Sequence, residues 1–435
     1  MKKAVLSDKI YMNFSEELYE LVKLACTYKL PSKAPKAYKV KDHFIIKKNY
    51  SIIGKRIIAI PIGRQELIPD DYEIIDKRIY KPVKFPKFKF KLRESQKLIY
   101  DQVEDNCLIN ANVSWGKTFT AVAIATKLKQ KTLVITHTVA LRKQWEEEIE
   151  KTLDIKPGII GSGIYDIKDK PIVVANVQTL RKHVQALKDE FGTVILDEVH
   201  HAPARIFAES LQGMRARYKI GLSATLRRKD FMHILIPDYF SKVVYTPPKE
   251  NQMKPEILIV KTDIPFSSNN MIPWASRVNE LVARPEYLDI VTTVALQQAD
   301  KGHMVLIVSD RTEFLEKCGQ VCGDRAAVVT GATKDREEIH KQFRKQEKDI
   351  LCGAISIYKE GISENYLSCL ILAAPINNDP LLEQLIGRIQ RKQENKLVPL
   401  VVDIVLKGAT ARKQAATRAG RYMRERYKVT LIDLS

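Results

Sequence analysis

Two neighbouring carboxylates, Asp197 and Glu198, stand directly after the short apolar run of residues 194–196. A parallel strand that ends in carboxylates delivers them to the edge of the sheet where ligands bind in open α/β folds. There Asp197 could hold Mg²⁺ through water, and Glu198 could orient or deprotonate an attacking water molecule. A solvated acidic turn is the alternative, but the apolar run in front of the pair favours the catalytic interpretation.

A phosphate-binding loop is indicated upstream, where residues 111–118 read Ala-Asn-Val-Ser-Trp-Gly-Lys-Thr. In such a loop consecutive backbone N–H groups face the phosphates, the lysine reaches the β- and γ-phosphates, and the hydroxyl binds Mg²⁺. Lys117 and Thr118 fit these roles. A strand-like run at 107–110 precedes the loop and an amphipathic helix at 120–128 follows it. The sequence therefore predicts ATP and Mg²⁺ as cofactors.

This loop departs from the usual pattern at two positions. Ala111 stands where glycine is common, and Trp115 is bulky beside Gly116. Because of Ala111 alone, a catalytically silent nucleic-acid clamp stays open as an alternative. The flanking strand and helix favour a working site, in which Gly116 belongs to the nucleotide-binding residues.

Near the end of the chain, residues 384–391 read Gln-Leu-Ile-Gly-Arg-Ile-Gln-Arg. This spacing places Arg388 and Arg391 at i and i+3, on one face of a predicted helix. A solvated basic face is one interpretation. In the second lobe of a two-lobed ATPase, such a pair could instead reach across the cleft and stabilise the γ-phosphoryl transition state as an arginine finger.

The elements that must position these residues follow an alternating pattern from Leu92 onward, with short β-rich runs between helical segments. Such alternation indicates βαβ units around a parallel sheet, hence an α/β fold. In the first lobe we predict strands at 132–136, 172–175, 194–196 and 218–222, with helices at 139–149 and 178–187. In the second lobe we predict strands at 257–260, 304–308, 326–329, 350–354, 369–372 and 397–402.

Three domains are expected: residues 1–88, 89–246 and 247–435. The lysine- and proline-bearing stretch 81–89 marks the first boundary, because proline restricts it to an edge strand or a linker. The polar stretch 244–251 is the expected linker between the lobes. A basic helix is expected near the C-terminal end.

Charge points to a polyanionic partner. The 435 residues carry a formal net charge of +20, and residues 1–90 hold 20 Lys and Arg against 10 Asp and Glu, a difference of +10. An excess of this size is typical of proteins that bind nucleic acid. The N-terminal domain is therefore predicted to bind duplex or junction DNA, with a merely solubilising fold as the alternative.

Other classes of function are disfavoured. No apolar run approaches the ~18 residues of a spanning helix, and no signal-peptide core follows the N-terminus, so we expect a cytoplasmic protein with no membrane partner. The cysteines show no zinc-ligand spacing and are interpreted as free thiols. His200 and His201 diverge by about 100° at a helix start and are not expected to bind metal.

Further motifs occur in order along residues 92 to about 405. They lie at 92–96, 136–145, 177–180, 221–226, 329–332, 359–363 and 384–391. With the two phosphate motifs, this series resembles the superfamily 2 DExH helicases, in the branch of the XPB-like and phage UvsW-like enzymes. The resemblance implies two RecA-like parallel-sheet lobes preceded by a small basic α+β domain.

The resemblance also implies roles for individual residues. These are adenine recognition by Arg93 and Gln96, nucleotide contacts by Glu360 and Gly361, coupling of hydrolysis to lobe movement by Ser223 and Thr225, catalysis by Gln384 with Arg388 and Arg391, and nucleic-acid contacts by Thr136, Arg142, Thr179, Thr330 and Gly331.

The leading hypothesis is a DNA-stimulated ATPase that translocates on forked or four-way junction DNA and remodels it. An RNA helicase is one alternative, and the sequence Asp-Glu-Val-His rather than Asp-Glu-Ala-Asp argues mildly against it. A motor subunit of a restriction or packaging complex is another, and it would need a nuclease partner. We expect a monomer, with other replication or recombination proteins as further partners.

Overall fold

The computed structural model describes residues 2–31, 44–203, 205–226, 231–248, 250, 252–358 and 364–434. The chain forms two compact units, Met1–Lys249 and Glu250–Ser435. Each unit contains a parallel sheet with helices in its crossover connections, and a small, mainly antiparallel sheet stands at the N-terminus. The predicted fold class is confirmed.

The first unit begins with a small α+β domain. Its elements are β1 (Lys2–Leu6), β2 (Lys9–Asn13), α1 (Glu16–Ala25), β3 (Thr27–Pro31), β4 (Phe44–Lys48), β5 (Ser51–Ile53), β6 (Ile57–Pro61) and β7 (Tyr72–Asp76). The described strands of its main sheet pair in the order β5-β6-β2-β1-β7, and β3 pairs separately with β4. Helix α1 buries Leu18 and Val22 against this domain's core.

The parallel sheet of the first unit follows. Its strands are β8 (Cys107–Asn110), β9 (Thr132–Thr136), β10 (Gly158–Gly161), β11 (Ile164–Asp166), β12 (Ile172–Asn176), β13 (Thr193–Leu196), β14 (Tyr218–Ser223) and β15 (Val244–Tyr245). They pair in the order β11-β10-β12-β9-β13-β14-β8-β15. Strands β9, β12 and β13 are buried along their whole length, which explains their continuous apolar sequences.

The helices of this sheet connect successive strands. They are α2 (Glu94–Gln102), α3 (Lys117–Leu128), α4 (Val139–Leu153), α5 (Val177–Leu180), α6 (Val184–Leu187), α7 (Arg205–Gln212) and α8 (Ile236–Tyr239). The stretch before α2 runs along the sheet domain, where Ile79 bridges to Ala216 and Pro82 bridges to Gln130.

The second unit repeats this arrangement. Its strands are β16 (Glu256–Pro265), β17 (Val305–Ser309), β18 (Ala326–Val329), β19 (Ile350–Ala354), β20 (Cys369–Leu372), β21 (Leu400–Lys407) and β22 (Lys428–Asp433). Its helices are α9 (Trp274–Val282), α10 (Pro285–Asp300), α11 (Thr312–Cys322), α12 (Arg336–Arg344), α13 (Ile355–Tyr358), α14 (Asp379–Ile389) and α15 (Ala409–Arg424). The strand order is β18-β19-β17-β20-β21-β16-β22, with every neighbouring pair parallel.

Most predicted strands are confirmed, and three expectations need correction. The helix predicted over 178–187 is divided into α5 and α6, because the backbone leaves helical geometry at His183 (φ −116°, ψ 3°). The start of the expected linker, Val244 and Tyr245, forms β15 against β8. The strand predicted over 397–402 begins only at Leu400, directly after Pro399, which has no N–H to donate to a ladder.

The six cysteines are free and buried, as predicted. Across the described part of the chain, helices that combine the length and apolarity needed to cross a bilayer are absent.

Candidate active site

The phosphate-binding loop leaves the carboxyl end of β8 and ends at the first residue of α3. Ser114 (φ 76°) and Gly116 (φ 91°) have left-handed backbones, a geometry typical of loops whose N–H groups bind anions. The φ of 91° favours glycine at position 116, where a Cβ would also lie 2.8 Å from Nε2 of Gln96. Ala111 is buried and has no positive φ, so this position does not demand glycine. The first departure from the sequence pattern is thereby explained.

Lys117 and Thr118 form the first turn of α3, where the helix dipole favours anions. The Nζ of Lys117 donates to the carbonyl oxygens of Ala111 (3.0 Å) and Asn112 (3.4 Å). The ammonium group is therefore held against the loop that would surround a phosphate.

Trp115, the second departure from the pattern, anchors the loop. Its side chain is buried, and its Nε1 donates to Oγ of Ser95 at 2.9 Å. Its carbonyl oxygen accepts hydrogen bonds from Nη2 of Arg93 and from Nε2 of Gln96 (2.9 Å). Arg93 and Gln96 therefore hold the phosphate loop in place, and their contact with adenine stays a prediction.

The carboxylate pair lies at the end of β13, as the sequence predicts. The backbone N–H of Asp197 donates to the carbonyl oxygen of Ile135 at 3.1 Å, and the side chain is buried. Oδ2 of Asp197 accepts from Nε1 of Trp145 at 2.8 Å, while Oδ1 accepts from the backbone N–H of Glu198 at 2.9 Å. Trp145 fixes the orientation of this carboxylate, and the sequence motifs carried no sign of that role.

Burial raises the pKa of Asp197, and the neighbouring charge of Glu198 raises it further. The hydrogen bond from Trp145 and the charge of Lys117 act in the opposite direction. The electrostatic effect of Lys117 on Asp197 links the phosphate loop to the carboxylate pair. Two acidic groups beside one ammonium group make a site that a cation would stabilise.

Glu198 is linked to the end of β14 through a histidine. Its backbone is left-handed (φ 51°), and its Oε2 lies 3.2 Å from Nδ1 of His200. The same imidazole nitrogen lies 3.3 Å from Oγ of Ser223, which donates to the carbonyl oxygen of Thr225 at 2.7 Å. This series of contacts connects the predicted coupling residues, Ser223 and Thr225, to the carboxylate pair.

The rings of three histidines pack in a row beside this site. The ring centroids of His200 and His201 are 4.3 Å apart, and those of His201 and His137 are 4.4 Å apart. This packing joins the segment after β9 to the segment after β13. In the ranges that the structure describes, side chains of His, Cys, Asp and Glu do not come together in threes as a metal-binding group.

The residues predicted to contact nucleic acid from the first unit lie in different environments. Thr136 is buried and its Oγ1 donates to the carbonyl oxygen of Ala175 at 3.3 Å. Arg142 is buried and its Nε lies 2.9 Å from Oε1 of Glu146. Thr179 is half-buried. Thr136 and Arg142 thus make contacts inside the sheet domain, and direct contact of all three with nucleic acid stays a prediction.

In the second unit, Thr330 and Gly331 follow β18. The backbone N–H of Thr330 donates to Oγ1 of Thr333 at 2.9 Å. Nη2 of Arg336 donates to the carbonyl oxygens of Thr330 (3.0 Å) and Gly331 (3.1 Å). The turn is thereby fixed with Gly331 exposed, and its contact with nucleic acid stays a prediction.

Helix α14 carries Gln384 and Arg388, and both side chains are buried. The Nε of Arg388 donates to the carbonyl oxygen of Tyr358 at 2.7 Å. Helix α15, the expected basic C-terminal helix, holds α14 through Arg421, whose guanidinium bonds Asp379 (2.6 Å) and Glu383 (2.5 Å).

The expectation that Arg391 shares a helix face with Arg388 is wrong. The helix ends at Ile389, because the chain then pairs with a distant segment: the N–H of Met253 donates to the carbonyl oxygen of Gln390 at 2.7 Å, and Arg391 bridges to Gln252. Nη1 of Arg391 donates to Oδ1 of Asn365 at 2.9 Å. Glu360 and Gly361, which are also predicted to bind the nucleotide, lie outside the described residues.

Two protein families match the chain. The family described as type III restriction enzyme, res subunit, matches residues 87–228, and the family described as helicase conserved C-terminal domain matches residues 286–393. These ranges contain the phosphate loop and carboxylate pair in the first case, and α14 in the second.

Two relatives agree with these families, and one solved structure shares the fold. The chain is 42% identical to the probable helicase D10 of Escherichia phage T5, over 98% of this chain and 95% of that protein. It is 26% identical to the DNA 3'-5' translocase XPB2 of Sulfurisphaera tokodaii, over 67% of this chain and 76% of that protein. The structure of a point variant of S. cerevisiae Dbp5 bound to RNA and ADP BeF3 matches with a TM-score of 0.58 at 12% identity, over 79% of this chain and 90% of that chain.

The Dbp5 match concerns the fold alone, and it supports the RecA-like architecture of the lobes. The similarity to D10 extends along almost the whole chain, and it confirms the predicted branch. The chain belongs to the superfamily 2 helicases, in the branch of the UvsW-like and XPB-like enzymes, and it is an ATP-hydrolysing helicase.

Proposed function

We propose that this helicase acts on DNA and remodels forked or four-way junctions by unwinding or branch migration. The observation that carries the proposal is a strongly basic N-terminal domain fixed to the sheet that bears the carboxylate pair. Movement of a lobe during ATP hydrolysis would then be transmitted to nucleic acid that this domain holds.

The charge of this domain suits a phosphate backbone. Residues 1–90 hold 20 Lys and Arg against 10 Asp and Glu, which is +10 of the net +20. Cationic side chains that neutralise phosphates release counterions, so this domain would add several units to the salt dependence of DNA binding.

The attachment of the domain centres on one buried carboxylate, Asp238 in α8. Its side chain accepts hydrogen bonds from the hydroxyl of Tyr28 (2.8 Å) and Nδ2 of Asn49 (2.6 Å), and it lies 3.3 Å from Nη1 of Arg64. Burial raises the pKa of Asp238, while these partners favour the ionised form. Gly63 lies so close that a Cβ there would be 1.9 Å from the carbonyl oxygen of Pro237. Such an attachment suits transmission of force better than a flexible linker would.

The residues of the site fit a nucleoside triphosphate with Mg²⁺. The hydroxyl of Thr118 and the carboxylate of Asp197 would hold the ion, and the raised pKa of Asp197 is what a nearby cation would reverse. When bound, Mg²⁺ would supply charge neutralisation to the phosphate oxygens.

This chain's own side chains would then perform the hydrolysis. Lys117 would neutralise the β- and γ-phosphate oxygens, and Glu198 would orient the attacking water and accept its proton. The water oxygen bonds to the γ-phosphorus as the bond to the bridging oxygen breaks, which gives ADP and phosphate. Arg388 and Arg391 would stabilise the charge that develops on the transferred group.

One further function is favoured by a specific observation. The match to the restriction-enzyme res subunit over residues 87–228 favours a second candidate function, that of a motor subunit that serves a separate nuclease. A nuclease assay on the purified chain with Mg²⁺ and with Mn²⁺ tests for nuclease activity in the chain itself, which would contradict a pure junction motor. An RNA helicase stays the other alternative, because Dbp5, which has the same fold, was solved with RNA.

The decisive measurement is steady-state ATP hydrolysis without nucleic acid and with matched forked DNA, four-way DNA, linear duplex DNA and single-stranded RNA, each across a salt series. The proposal expects the forked and four-way substrates to give the highest kcat/KM. Equal or greater stimulation by RNA would replace DNA with RNA as the substrate. Lys117→Ala serves as the control for contaminating ATPases.

A further inference from the structure

The hairpin of β3 and β4 has two faces with opposite roles. In an antiparallel pair, residues directly opposite each other point to the same face. Lys29 pairs with Ile46 and Pro31 pairs with Phe44 on one face, whereas Leu30 pairs with Ile45 on the other. Alternation along β3 therefore assigns Tyr28 and Leu30 to the second face.

The second face attaches the hairpin to the parallel-sheet domain through the side chains of β3, while Ile45 of β4 on that face is 56% exposed. Leu30 is buried in the same apolar cluster as Leu133 and Phe240 of that domain. The hydroxyl of Tyr28 donates to both carboxylate oxygens of Asp238 at 2.8 Å. The hairpin is thus fixed to the domain that holds the hydrolytic residues.

The first face carries two large apolar side chains that are exposed. Phe44 is 55% exposed and Ile46 is 61% exposed. Lys29 and Lys48, both exposed, lie on the same face beside them. A strand face that points to water is ordinarily polar, so two large apolar side chains on one such face indicate a binding surface.

The chemistry of this face matches nucleobases held on a phosphate backbone. Aromatic and aliphatic side chains stack on bases or wedge between them, and flanking lysines neutralise the phosphates. A partner protein with an apolar patch would satisfy Phe44 and Ile46, but it would not account for lysines on the same face or for the +10 of residues 1–90. Charge complementarity therefore favours nucleic acid.

We propose that the exposed hairpin face, formed by Lys29, Phe44, Ile46 and Lys48, binds unpaired bases where single-stranded DNA meets duplex, and helps to separate the strands. This inference rests on the proposed function, in which DNA is the substrate. A fixed hairpin of this kind would keep the separated bases from pairing again while the motor advances.

The main test compares two double variants of the full chain on a DNA fork with 2-aminopurine at the junction. Phe44→Ala with Ile46→Ala removes the proposed stacking face. Ile52→Ala with Ile53→Ala, which changes two side chains that are each 47% exposed on β5, is the matched control. Loss of stacking with even one base lowers binding about tenfold. We expect the first variant to bind the fork about tenfold more weakly, to lose the rise in 2-aminopurine fluorescence that separation of the bases produces, and to unwind fewer base pairs per ATP hydrolysed. The control should match the wild type.

A second measurement holds even if the double variant folds poorly. Phe44→Trp keeps an aromatic side chain at the surface, and base stacking should quench its added fluorescence when forked DNA binds. Unchanged fluorescence at saturating DNA, or wild-type unwinding by the double alanine variant, would overturn the hairpin proposal while leaving the DNA motor intact. A wild-type dimer that the double alanine variant breaks would instead make this face an interface between copies.

A failure of the proposed DNA motor function would give a different result. If the wild-type chain shows neither DNA-stimulated hydrolysis nor unwinding, the DNA motor itself is wrong, and the hairpin proposal fails with it.

Discussion

The parallel sheets of the two units have the same topology but different chemistry at their carboxyl edges. In the first sheet we number the strands 1 to 7 by their order in the chain, which gives β8, β9, β10, β12, β13, β14 and β15, and we leave out the added edge strand β11. Their order across the sheet is then 3-4-2-5-6-1-7. Strands β16 to β22 lie across the second sheet in the same order. The backbone plan is therefore duplicated.

The equivalence extends to single hydrogen bonds. After β13, the N–H of Asp197 donates to the carbonyl oxygen of Ile135 at 3.1 Å; after β20, the N–H of Ala373 donates to that of Val308 at 3.0 Å. The first sheet thus has Asp-Glu where the second has Ala-Ala. The comparison shows that one fold supplies the same positions in both units while the side chains at those positions differ. That difference is why we assign the hydrolysis to the first sheet.

The largest expected effect comes from removing the cation of the phosphate loop. Lys117→Ala should abolish measurable ATP hydrolysis, because no charge would neutralise the β- and γ-phosphates, while nucleic-acid binding persists. Lys127→Ala, at the other end of α3, is the control: its Nζ donates to the backbone oxygens of Tyr100, Asp101 and Val103. Turnover near the wild-type rate in Lys117→Ala would place the hydrolytic site elsewhere.

The residues that the proposed function assigns to the second unit are arginines rather than carboxylates. Arg391→Ala should slow hydrolysis by ~10³-fold or more if it acts as an arginine finger. Arg388→Ala should slow it as well, and should also lower the melting temperature, because its buried Nε bonds Tyr358. Kinetics and melting curves are compared with Arg424→Ala, whose exposed side chain pairs with Asp379 at 3.0 Å. If Arg391→Ala melts early but turns over normally, its role is structural.

Glu198→Gln removes the negative charge at this position, which the second sheet also lacks, and keeps the size of the side chain. We expect hydrolysis to fall ~10²-fold or more, because the amide cannot accept a proton from water. ATP binding should be unchanged in equilibrium titrations. Weak binding combined with a normal single-turnover rate would argue against a role for Glu198 in the chemical step.

A smaller effect is expected from Trp145→Phe, which removes the N–H that orients Asp197. Partners that orient metal ligands typically change metal affinity by about 10- to 100-fold. The Mg²⁺ concentration for half-maximal hydrolysis should rise by that factor, with a nearly normal rate at saturating Mg²⁺. Trp115→Phe is the counterpart, since its lost partner is Ser95, and it should raise the KM for ATP instead. Identical Mg²⁺ titrations for Trp145→Phe and the wild type would exclude the orienting role.

The sequence was sufficient to predict the positions that local patterns define. The buried run before Asp197 and the loop between β8 and α3 follow from strand periodicity and glycine placement over fewer than ten residues. Contacts between distant residues were not visible in this way. Trp145 and Asp197 are 52 residues apart, and Tyr28 and Asp238 are 210 apart. No local pattern indicates which side chains such distances bring together.

The error at Arg391 has the same origin. The helical pattern of residues 384–391 is real as far as Ile389, but a tertiary pairing with Gln252 and Met253 ends the helix there. Helix propensity is a weak preference that such contacts override. The anchoring role of Trp115 was not predictable for a related reason, because its partner Ser95 belongs to another helix.

The sixth strands of the two sheets each carry a buried charged side chain, and these side chains have different partners. In β21, Asp403 is paired with Arg418 of α15 at 2.7 Å. In β14, the buried Nζ of Lys219 donates to the carbonyl oxygen of Leu211 at 2.9 Å, and burial lowers the pKa of Lys219 to about 8. A lysine in the unfolded chain has a pKa near 10.4. Its burial in the charged form therefore costs at most about 3 kcal/mol below pH 8.

Lys219→Met should accordingly raise the free energy of unfolding at pH 7. Between pH 8 and about 10.4 the unfolded wild type binds a proton that the folded protein has released, so wild-type stability rises with pH and the advantage of the variant shrinks. Arg418→Met should have the opposite sign and cost about 3–5 kcal/mol, because it leaves Asp403 buried without its cation. Urea titrations of both variants and the wild type at pH 7 and pH 9.5 measure these differences. A Lys219→Met variant that is less stable at pH 7 would show that the bond to Leu211 outweighs the burial of the charge, and that both sheets gain stability from their buried ions.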